Sequence, residues 1–255
     1  MRFIKAMMIA FSMYSRIPMP QFTWKDEDMN YMLCFFPWVG AVIGGLIYLW
    51  RMFCEKYNVE MLCYVLIGTV IPLLITGGFH VDGFMDTMDA FQSYQSREKK
   101  LEILKDSHIG AFAVISLAVY GFLYMAAFSE IKDKNLLQIV CAGFFLSRVL
   151  SGISAVSFET AKKEGMLYHF KNSAKTKAVK LSLYLQGTLC LCFMFKCSLF
   201  FGSLIAASAI GSLGYYYYRT KKELGGITGD TAGYFVMLCE GSMLVVAAGI
   251  NILSI

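Results

Sequence analysis

Charged residues are scarce in this sequence. They make up 16% of the chain, whereas soluble globular domains carry about a quarter. Hydrophobic residues make up 57%, and the mean hydropathy is +0.57. A compact core of this size cannot hide so many apolar side chains, so lipid must be the solvent for much of the chain. The composition therefore excludes a soluble enzyme, a disordered scaffold and a disulfide-stapled secreted module.

Cysteine pairs and basic stripes are also missing. The 8 cysteines include no CxxC, only Cys190 and Cys192 are closely spaced, and most lie inside apolar runs. They are therefore interpreted as small membrane-buried hydrophobes rather than a metal or disulfide framework. The net charge is only +5, and the basic residues are scattered, so no nucleic-acid partner is expected.

Long apolar runs, by contrast, are abundant. Seven runs approach the roughly 20 residues that cross a bilayer. They cover residues 31–51, 59–79, 109–129, 136–158, 181–195, 197–218 and 232–254. The fifth is short, and its junction with the sixth near Lys196 is open. Residues 1–20 are apolar but carry basic residues and no signal-peptide cleavage site, so we expect a helix lying in the membrane interface.

The runs predict an all-α, polytopic integral membrane bundle of about seven transmembrane helices. Residues 1–255 are expected to form a single membrane-embedded domain, because no inter-helix segment is rich in Pro or Ser like a linker and no repeat of fixed period occurs. The lipid bilayer is the first partner that this architecture implies.

The distribution of Lys and Arg predicts the orientation. If the N-terminus is inside and the helices alternate, seventeen basic residues fall inside and five outside, with Arg148 inside a helix. The inside residues are at positions 2, 5, 16, 25, 97, 99, 100, 105, 162, 163, 171, 175, 177, 180, 219, 221 and 222, and the outside ones at 51, 56, 132, 134 and 196. This asymmetry predicts a multi-pass protein of the cell (inner) membrane, with segments 80–108 and 219–231 on its cytoplasmic face.

An acidic stripe is the strongest chemical signal. Asp82, Asp86 and Asp89 are spaced i, i+4 and i+7, which places them along one face of a helix. Apolar residues lie between them, so the helix is expected to pack against the protein. Three anions on a partly buried face repel one another unless a cation lies among them, and oxygen-only ligands favour Mg²⁺. The alternative is a connector whose acids face water. Gly77, Gly78 and the glycine after Asp82 are expected to let the backbone bend sharply and approach a ligand.

Two further polar segments lie near apolar runs. In Lys105–Gly110, Lys105 and Ser107 are candidate phosphate contacts and Asp106 a candidate metal ligand, although Asp106 or Ser107 would serve equally as a helix N-cap. In Leu224–Gly233, closely spaced glycines precede Asp230, which suits either a backbone wrapped around an anion or a flexible turn with an Asp cap.

Three ionisable residues lie in or beside apolar runs. Arg148 and Glu240 are costly in lipid, so they either pair with each other or Arg148 binds a phosphate. His80 is a candidate general base, a ligand or a structural brace.

At this point the sequence resembles a known family, the cobalamin synthases (adenosylcobinamide-GDP ribazoletransferases, the CobS family). The similarity is collinear over essentially the whole chain and rests on several ordered motifs. Those motifs are Ser15-Arg16-Ile17-Pro18, Phe36-Pro37-Trp38-Val39-Gly40, GGFHVDGFMDTMDA at 77–90, Lys105-Asp106-Ser107-His108-Ile109-Gly110, Ser147-Arg148 and GGITGDTAG at 225–233. The departures are mild: His108 stands where Arg is common, and Phe84, Met85 and Met88 differ around the acids without replacing them.

The resemblance implies a reaction and a site. α-Ribazole, or its 5′-phosphate, would attack the phosphoryl group attached to adenosylcobinamide-GDP, releasing GMP and forming adenosylcobalamin or its phosphate, with Mg²⁺ required. Other cobalamin-assembly enzymes and a second copy of the chain are candidate partners. The expected metal ligands are Asp82, Asp86, Asp89, Asp106 and Asp230; the substrate-binding residues Lys105, Ser107, Arg148, Thr228 and Gly229; and the catalytic residues Asp82, Asp89 and His80.

Two alternatives remain beside it. A CDP-alcohol phosphatidyltransferase also places a DG-led acid cluster at a membrane face, but it expects Ala-Arg where this chain has Asp86-Thr87. An ion-coupled transporter would use Asp82 and Glu240 as ion sites and would release no GMP.

Overall fold

The fold is a bundle of α helices. The structure, a computed structural model, describes residues 2–21, 23–162, 167–168 and 176–253. Its α helices are α1 (Arg2–Tyr14), α2 (Phe36–Tyr57), α3 (Met61–Thr76), α4 (Phe79–Gln92), α5 (Arg97–Ile103), α6 (Ala111–Ser129), α7 (Lys134–Ser157), α8 (Thr176–Cys197), α9 (Leu199–Leu224) and α10 (Gly229–Leu253). A 3₁₀ helix covers Asp26–Cys34, and within these ranges the β pairing is a single isolated bridge between Thr160 and Ile227.

The predicted polytopic all-α architecture is confirmed. Six of the described helices are long and apolar enough to cross a membrane, and a seventh crossing results if α3 and α4 are counted as one broken span. The axes of α3 and α4 differ by 93°, so α4 does not continue the crossing of α3 but runs across the end of the bundle. The predicted span 59–79 therefore ends earlier, at Thr76.

Other predicted boundaries shift as well, and the end of the sixth span moves from 218 to Leu224. The first span runs from Phe36 to Tyr57 rather than 31–51, because the 3₁₀ helix precedes it and Pro37 suits the first turn of an α helix. The fifth is not short: α8 has 22 residues and ends at Cys197, where the Ser198 hydroxyl caps α9 by accepting a hydrogen bond from the Phe201 amide at 3.3 Å. The last span begins at Gly229 rather than 232.

The N-terminal helix has the two faces expected at an interface. Ala6, Ile9 and Ala10 are fully buried, whereas Ile4 and Met7 on the other face expose 62% and 38% of their surfaces. α1 packs against the 3₁₀ helix, and the Arg16 amide donates to the Ile75 carbonyl at 2.7 Å. This contact places the end of α1 beside the end of α3.

Contacts at the bundle's two ends establish that the helices alternate in direction. At one end, Lys134 of α7 pairs with Glu55 of α2 at 3.0 Å, and Asn251 of α10 donates to the Glu130 carbonyl at 2.8 Å. At the other, which we call the polar end, Lys100 of α5 pairs with Glu223 of α9. Segments 80–108 and 219–231 therefore lie at the same end of the bundle, as the predicted alternation of helix directions implies. Lys163, Lys171 and Lys175, which contributed to the charge count, lie outside the described residues.

One ion pair lies in the centre of the bundle. Arg148 of α7 and Glu240 of α10 expose 1% and 8% of their surfaces, and Nη1 of Arg148 lies 2.6 Å from Oε1 of Glu240. The Ser147 hydroxyl donates to the same carboxylate at 2.9 Å, and Arg148 also donates to the Phe144 carbonyl at 2.8 Å. The predicted pairing of these two residues is confirmed.

Candidate active site

Two glycines set the direction of the acidic helix. Gly77 and Gly78 separate α3 from α4 with φ of 64° and 82°, a left-handed conformation that glycine adopts without steric cost. They produce the bend that directs α4 across the polar end. The predicted sharp turn at this pair is confirmed.

The carboxylates of α4 differ in their surroundings. Asp82 is exposed and Asp86 is partly buried. Burial, and then the negative charges of Asp82, Asp230 and Asp89, raise the pKa of Asp86 to about 6. Like charges therefore crowd this face, and a cation among them would relieve their repulsion.

Two other glycines bring Asp230 to this face. A Cβ on Gly83 would lie 2.6 Å from the Asp230 carbonyl oxygen, and one on Gly233 would lie 3.3 Å from Cα of His80. Side chains at these positions would separate α4 from α10 and carry Asp230 away from Asp86. Gly83 was expected to bend the backbone; it lies inside α4 instead, where it permits close helix packing.

The acids fit a magnesium site in which the protein supplies only some of the metal's ligands. Among the described residues, no three His, Cys, Asp or Glu side chains converge closely enough to hold a metal by themselves. Mg²⁺ is usually held through one or two carboxylates, with water and substrate phosphate oxygens completing its shell. Asp82, Asp86 and Asp230 supply only oxygen ligands and negative charge, so they suit that mode. The five expected ligands do not form one cluster.

Asp89 is engaged elsewhere. Its Oδ2 accepts a hydrogen bond from the Gly110 amide at 2.7 Å, and its Oδ1 accepts one from the Ala113 amide at 2.8 Å. A carboxylate at the start of α6 satisfies amides that lack helical partners and opposes the positive end of the helix dipole. The prediction that Asp106 or Ser107 caps this helix is wrong, because Asp89 caps it from another helix. The predicted metal and base roles of Asp89 stay predictions.

Residues 106–108 do not join the carboxylates. Asp106 and Ser107 are exposed. The Asp106 carboxylate accepts a hydrogen bond from the His108 amide at 3.0 Å and lies 2.6 Å from Nδ1 of His108. These hydrogen bonds lower the pKa of Asp106. The structure thus gives Asp106 a local turn contact and shows no contact between Ser107 and the other site residues.

His80 lies on the buried face of α4. It exposes 4% of its surface, between the rings of Phe36 and Phe79, and Nε2 has no hydrogen-bond partner among the described residues. Burial, and then the positive charge of Arg148, lower its pKa well below the ordinary value, so the imidazole is neutral. Helical geometry places His80 on the face of α4 opposite Asp82, and its predicted catalytic role stays a prediction.

A cavity of about 330 Å³, with both polar and apolar residues in its lining, adjoins Asp230. Lys105, Thr228 and Gly229, all predicted as substrate-binding residues, lie along it, whereas Ser107 and Arg148 do not. Thr228 also caps α10, because its hydroxyl accepts from the Thr231 amide at 3.2 Å; the expected Asp cap is instead a Thr cap.

Sequence reasoning missed one residue of this cavity. Lys162 lines it from the segment that follows α7. The only signal available was a basic residue on the inside half of the charge count. Nothing local to Lys162 indicates that its segment pairs with residue 227.

Comparison with known proteins identifies the family. The cobalamin-5-phosphate synthase family matches residues 6–248. The chain is 40% identical to the adenosylcobinamide-GDP ribazoletransferase of Lachnoclostridium phytofermentans, over 99% of this chain and 97% of that protein. It is 35% identical to the enzyme of the same name from Clostridium perfringens (93% and 95%), and 30% identical to that of Fusobacterium nucleatum (95% of each). No solved structure matches it. Together these matches, over a helical bundle with its acids gathered at one end, place the chain in the cobalamin-5-phosphate synthase family.

Proposed function

We propose that this transferase joins adenosylcobinamide-GDP to α-ribazole or its 5′-phosphate at the polar end of the bundle. A ribazole hydroxyl would attack the phosphorus atom attached to the cobinamide. A new P–O bond forms, the anhydride P–O bond to GMP breaks, the hydroxyl proton leaves, and adenosylcobalamin or its phosphate is formed. The relatives' names support the donor and the ribazole-type acceptor.

One observation supports the mechanism: the charges of Asp82 and Asp230 act on the carboxyl group of Asp86, and Asp230 lines a cavity that is also lined by Lys105. Diphosphate cleavage requires stabilisation of negative charge on the transferred group and on the leaving phosphate. The three carboxylates would hold Mg²⁺, which when bound supplies that stabilisation at the diphosphate. Lys105 and Thr228, which line the cavity, would bind phosphate oxygens.

The remaining acids and bases are given roles that fit their contacts. Asp89 would keep the start of α6 fixed against α4, so that Lys105 remains beside Asp230. Arg148 is neutralised by Glu240, which leaves it a structural role within the bundle. The same pairing weakens the transporter alternative, because Glu240 already has a cationic partner.

We propose that the protein lies in the cell membrane and that its polar end faces the cytoplasm. Its support is the excess of Lys and Arg in the segments at this end, since cytoplasmic loops of membrane proteins are enriched in these residues. The water-soluble nucleotide donor and acceptor would then be reached without crossing the bilayer.

A product assay tests the proposal. Detergent-purified protein would receive adenosylcobinamide-GDP with α-ribazole, with α-ribazole 5′-phosphate or with neither, each with Mg²⁺ or with EDTA. We expect GMP and the joined corrinoid in equal amounts, and only when acceptor and Mg²⁺ are both present. GMP release that is independent of acceptor would identify a hydrolase, and full turnover in EDTA would remove the metal proposal.

A further inference from the structure

A second cavity at the polar end lies beside the end of α1, and the proposed reaction makes no use of it. Its volume is about 520 Å³, within the roughly 300–1,000 Å³ of small-molecule sites. Ser12, Arg16 and Gln21 contribute polar side chains to its lining, and all three are exposed. The described residues that line it include no Asp or Glu. This lining therefore has one positive charge and no negative charge, which suits an anion.

Hydrogen bonds fix the backbone that bears Arg16. The Arg16 amide donates to the Ile75 carbonyl at 2.7 Å, which ties the segment to the end of α3. The Ser15 hydroxyl donates to the Phe11 carbonyl at 2.6 Å and accepts a hydrogen bond from the Ile17 amide at 3.3 Å. Because this backbone is already ordered, a ligand of Arg16 would not have to order it on binding.

The side chain of Arg16 is positioned as well. A Cβ on Gly77 would lie 2.5 Å from Nε of Arg16 and 2.7 Å from its Cγ. The arginine side chain therefore lies directly over this glycine, at the bend between α3 and α4. Among the residues that the structure describes, none forms an ion pair with Arg16. Its guanidinium is thus held at the start of α4 without an acid to neutralise it.

The end of α1 reaches the side of α4 that bears Asp82. Gly78 is the N-cap of α4, and Asp82 follows it by four residues, about 6 Å along the helix axis. Phe79 precedes Asp82 by three residues, so the two are neighbours on the helix surface. The ring of Phe79 packs edge-on against Tyr14 of α1, with ring centroids 5.8 Å apart. Arg16 follows Tyr14 by two residues, so its cavity adjoins the proposed metal site.

We propose that Arg16 binds a phosphoryl group of the nucleotide-bearing donor, beside the metal site that includes Asp82. The inference rests on the proposed function, because it concerns the diphosphate of that reaction. A planar guanidinium donates two parallel hydrogen bonds to phosphate oxygens, a geometry that lysine does not offer. Both phosphoryl groups of a diphosphate carry negative charge, so a cation besides the metal would stabilise it further. A phospholipid headgroup carries the same kind of anion, so the test must separate the two sources.

Direct binding tests the contact without turnover. Adenosylcobinamide-GDP would be titrated calorimetrically, with Mg²⁺ and without acceptor, into the full-length, detergent-purified wild type and three variants: Arg16→Gln, Arg16→Lys and Lys25→Gln. Lys25 is a matched control, because it is an exposed cation nearby in the chain that does not line the cavity. We expect the Kd of the donor to rise about tenfold in Arg16→Gln, the loss of one charge-assisted hydrogen bond. Arg16→Lys should recover part of this loss, and Lys25→Gln should bind like the wild type.

Steady-state kinetics separate a phosphate contact from a structural role. Arg16→Gln should raise the KM for the donor about tenfold and leave the KM for free α-ribazole unchanged, because free α-ribazole has no phosphate. Thermal unfolding should be the same as in the wild type. An equal rise in both KM values, together with a lower unfolding temperature, would show that Arg16 only supports the fold and would overturn the proposal.

Added lipid separates the two sources of phosphate. The unfolding temperatures of the wild type and Arg16→Gln would be compared in neutral detergent with and without phosphatidylglycerol. We expect this lipid to affect both proteins equally. Stabilisation by phosphatidylglycerol that Arg16→Gln lacks, with donor binding unchanged, would assign Arg16 to a lipid headgroup and overturn the donor contact.

The outcomes also separate this inference from the proposed function. A folded Arg16→Gln that binds the donor like the wild type, in a preparation whose wild type turns over, would overturn the Arg16 contact alone. A wild type that binds the donor through Arg16 but transfers nothing to either acceptor would overturn the proposed reaction and leave the contact intact.

Discussion

The centre of the bundle and its polar end differ in whether a charged side chain is paired with one of opposite charge. In the centre, Arg148 and Glu240 have opposite charges and contact each other at 2.6 Å. At the polar end, Asp82, Asp86 and Asp230 have the same charge, and the described residues form no ion pair with Asp82 or Asp86. A buried charge needs a partner. Where the chain supplies the partner, the residues are structural; where it gathers like charges, the partner is expected to be a ligand.

Removing one acid at the polar end gives the largest expected effect on activity. Asp82→Asn keeps the size of the side chain but removes its charge, so kcat should fall by at least about 100-fold, the typical loss for one electrostatic contact to the transition state. Because Asp82 is exposed, thermal unfolding in detergent should be unchanged. The measurement is the rate of GMP release.

Glu102→Gln is the matched control for that change. Glu102 is an exposed acid of α5, paired with Lys99 at 2.7 Å and away from the carboxylate face. Its substitution should alter turnover less than twofold. Wild-type activity in Asp82→Asn would contradict a role of the polar-end acids in the reaction, because they would then be only a solvent-exposed acidic face.

The central pair should show the reverse pattern, with a large effect on stability. Glu240→Ala leaves Arg148 buried without its partner, and breaking such a pair costs about 3–5 kcal/mol of unfolding free energy. Replacing both residues, in Arg148→Met/Glu240→Leu, should recover most of that loss, because well-packed apolar residues can replace a buried pair. Denaturant unfolding in micelles measures both.

The double variant also tests the sequence-based role of Arg148 as a phosphate contact. If the pair is structural, the refolded double variant transfers the cobinamide group at a rate within a few-fold of the wild type. A stable double variant with no activity would show that Arg148 acts on substrate.

Much of the fold follows from the sequence, because it depends on local properties. Apolar runs of membrane length predict the helices whatever their neighbours. The i, i+4, i+7 spacing predicts one acidic face, and a left-handed pair is a natural prediction for Gly77-Gly78. The direction of α4 after that bend is not local, because packing against α10 sets it.

The site depends more on distant contacts, and the sequence predicts less of it. Asp89 caps a helix that begins more than twenty residues later. Its spacing with Asp82 and Asp86 therefore does not predict that it caps α6. Lys162 reaches the cavity only because residues 159–161 pair with residue 227. His80 precedes Asp82 by two residues, yet that separation places them on opposite faces of a helix.

The pH dependence of stability sharpens the comparison further. The pKa of Asp86 is raised to about 6, so the folded state binds this proton more tightly than the unfolded state does. The stabilisation is full below the unfolded value of 3.8 and is lost as pH rises through about 6. The contribution of Asp86 should therefore make metal-free protein unfold at a lower temperature at pH 7 than at pH 4. Asp86→Asn should reduce this dependence of the unfolding temperature on pH.

Mg²⁺ should reverse that loss above pH 6, because a cation among the acids favours their ionised forms. The stabilisation by Mg²⁺ should shrink as pH falls through 6, and thermal unfolding with and without EDTA measures it. An equal effect of Mg²⁺ at pH 5 and pH 7, or the same effect in Asp86→Asn, would show that the ion binds elsewhere.

The smallest effect is expected at Asp89, which belongs to neither class of charge. Its partners are two backbone amides, so it is compensated like Glu240 although it lies in the acidic stripe. Asp89→Asn keeps one oxygen acceptor and should cost about 1 kcal/mol of stability, the usual value for a helix cap, with turnover reduced only a few-fold. A loss of turnover as large as that of Asp82→Asn, in a variant that unfolds like the wild type, would return Asp89 to the metal site or to proton transfer. A loss of stability with turnover nearly intact would mean that the reacting acids are those which the chain leaves without a partner.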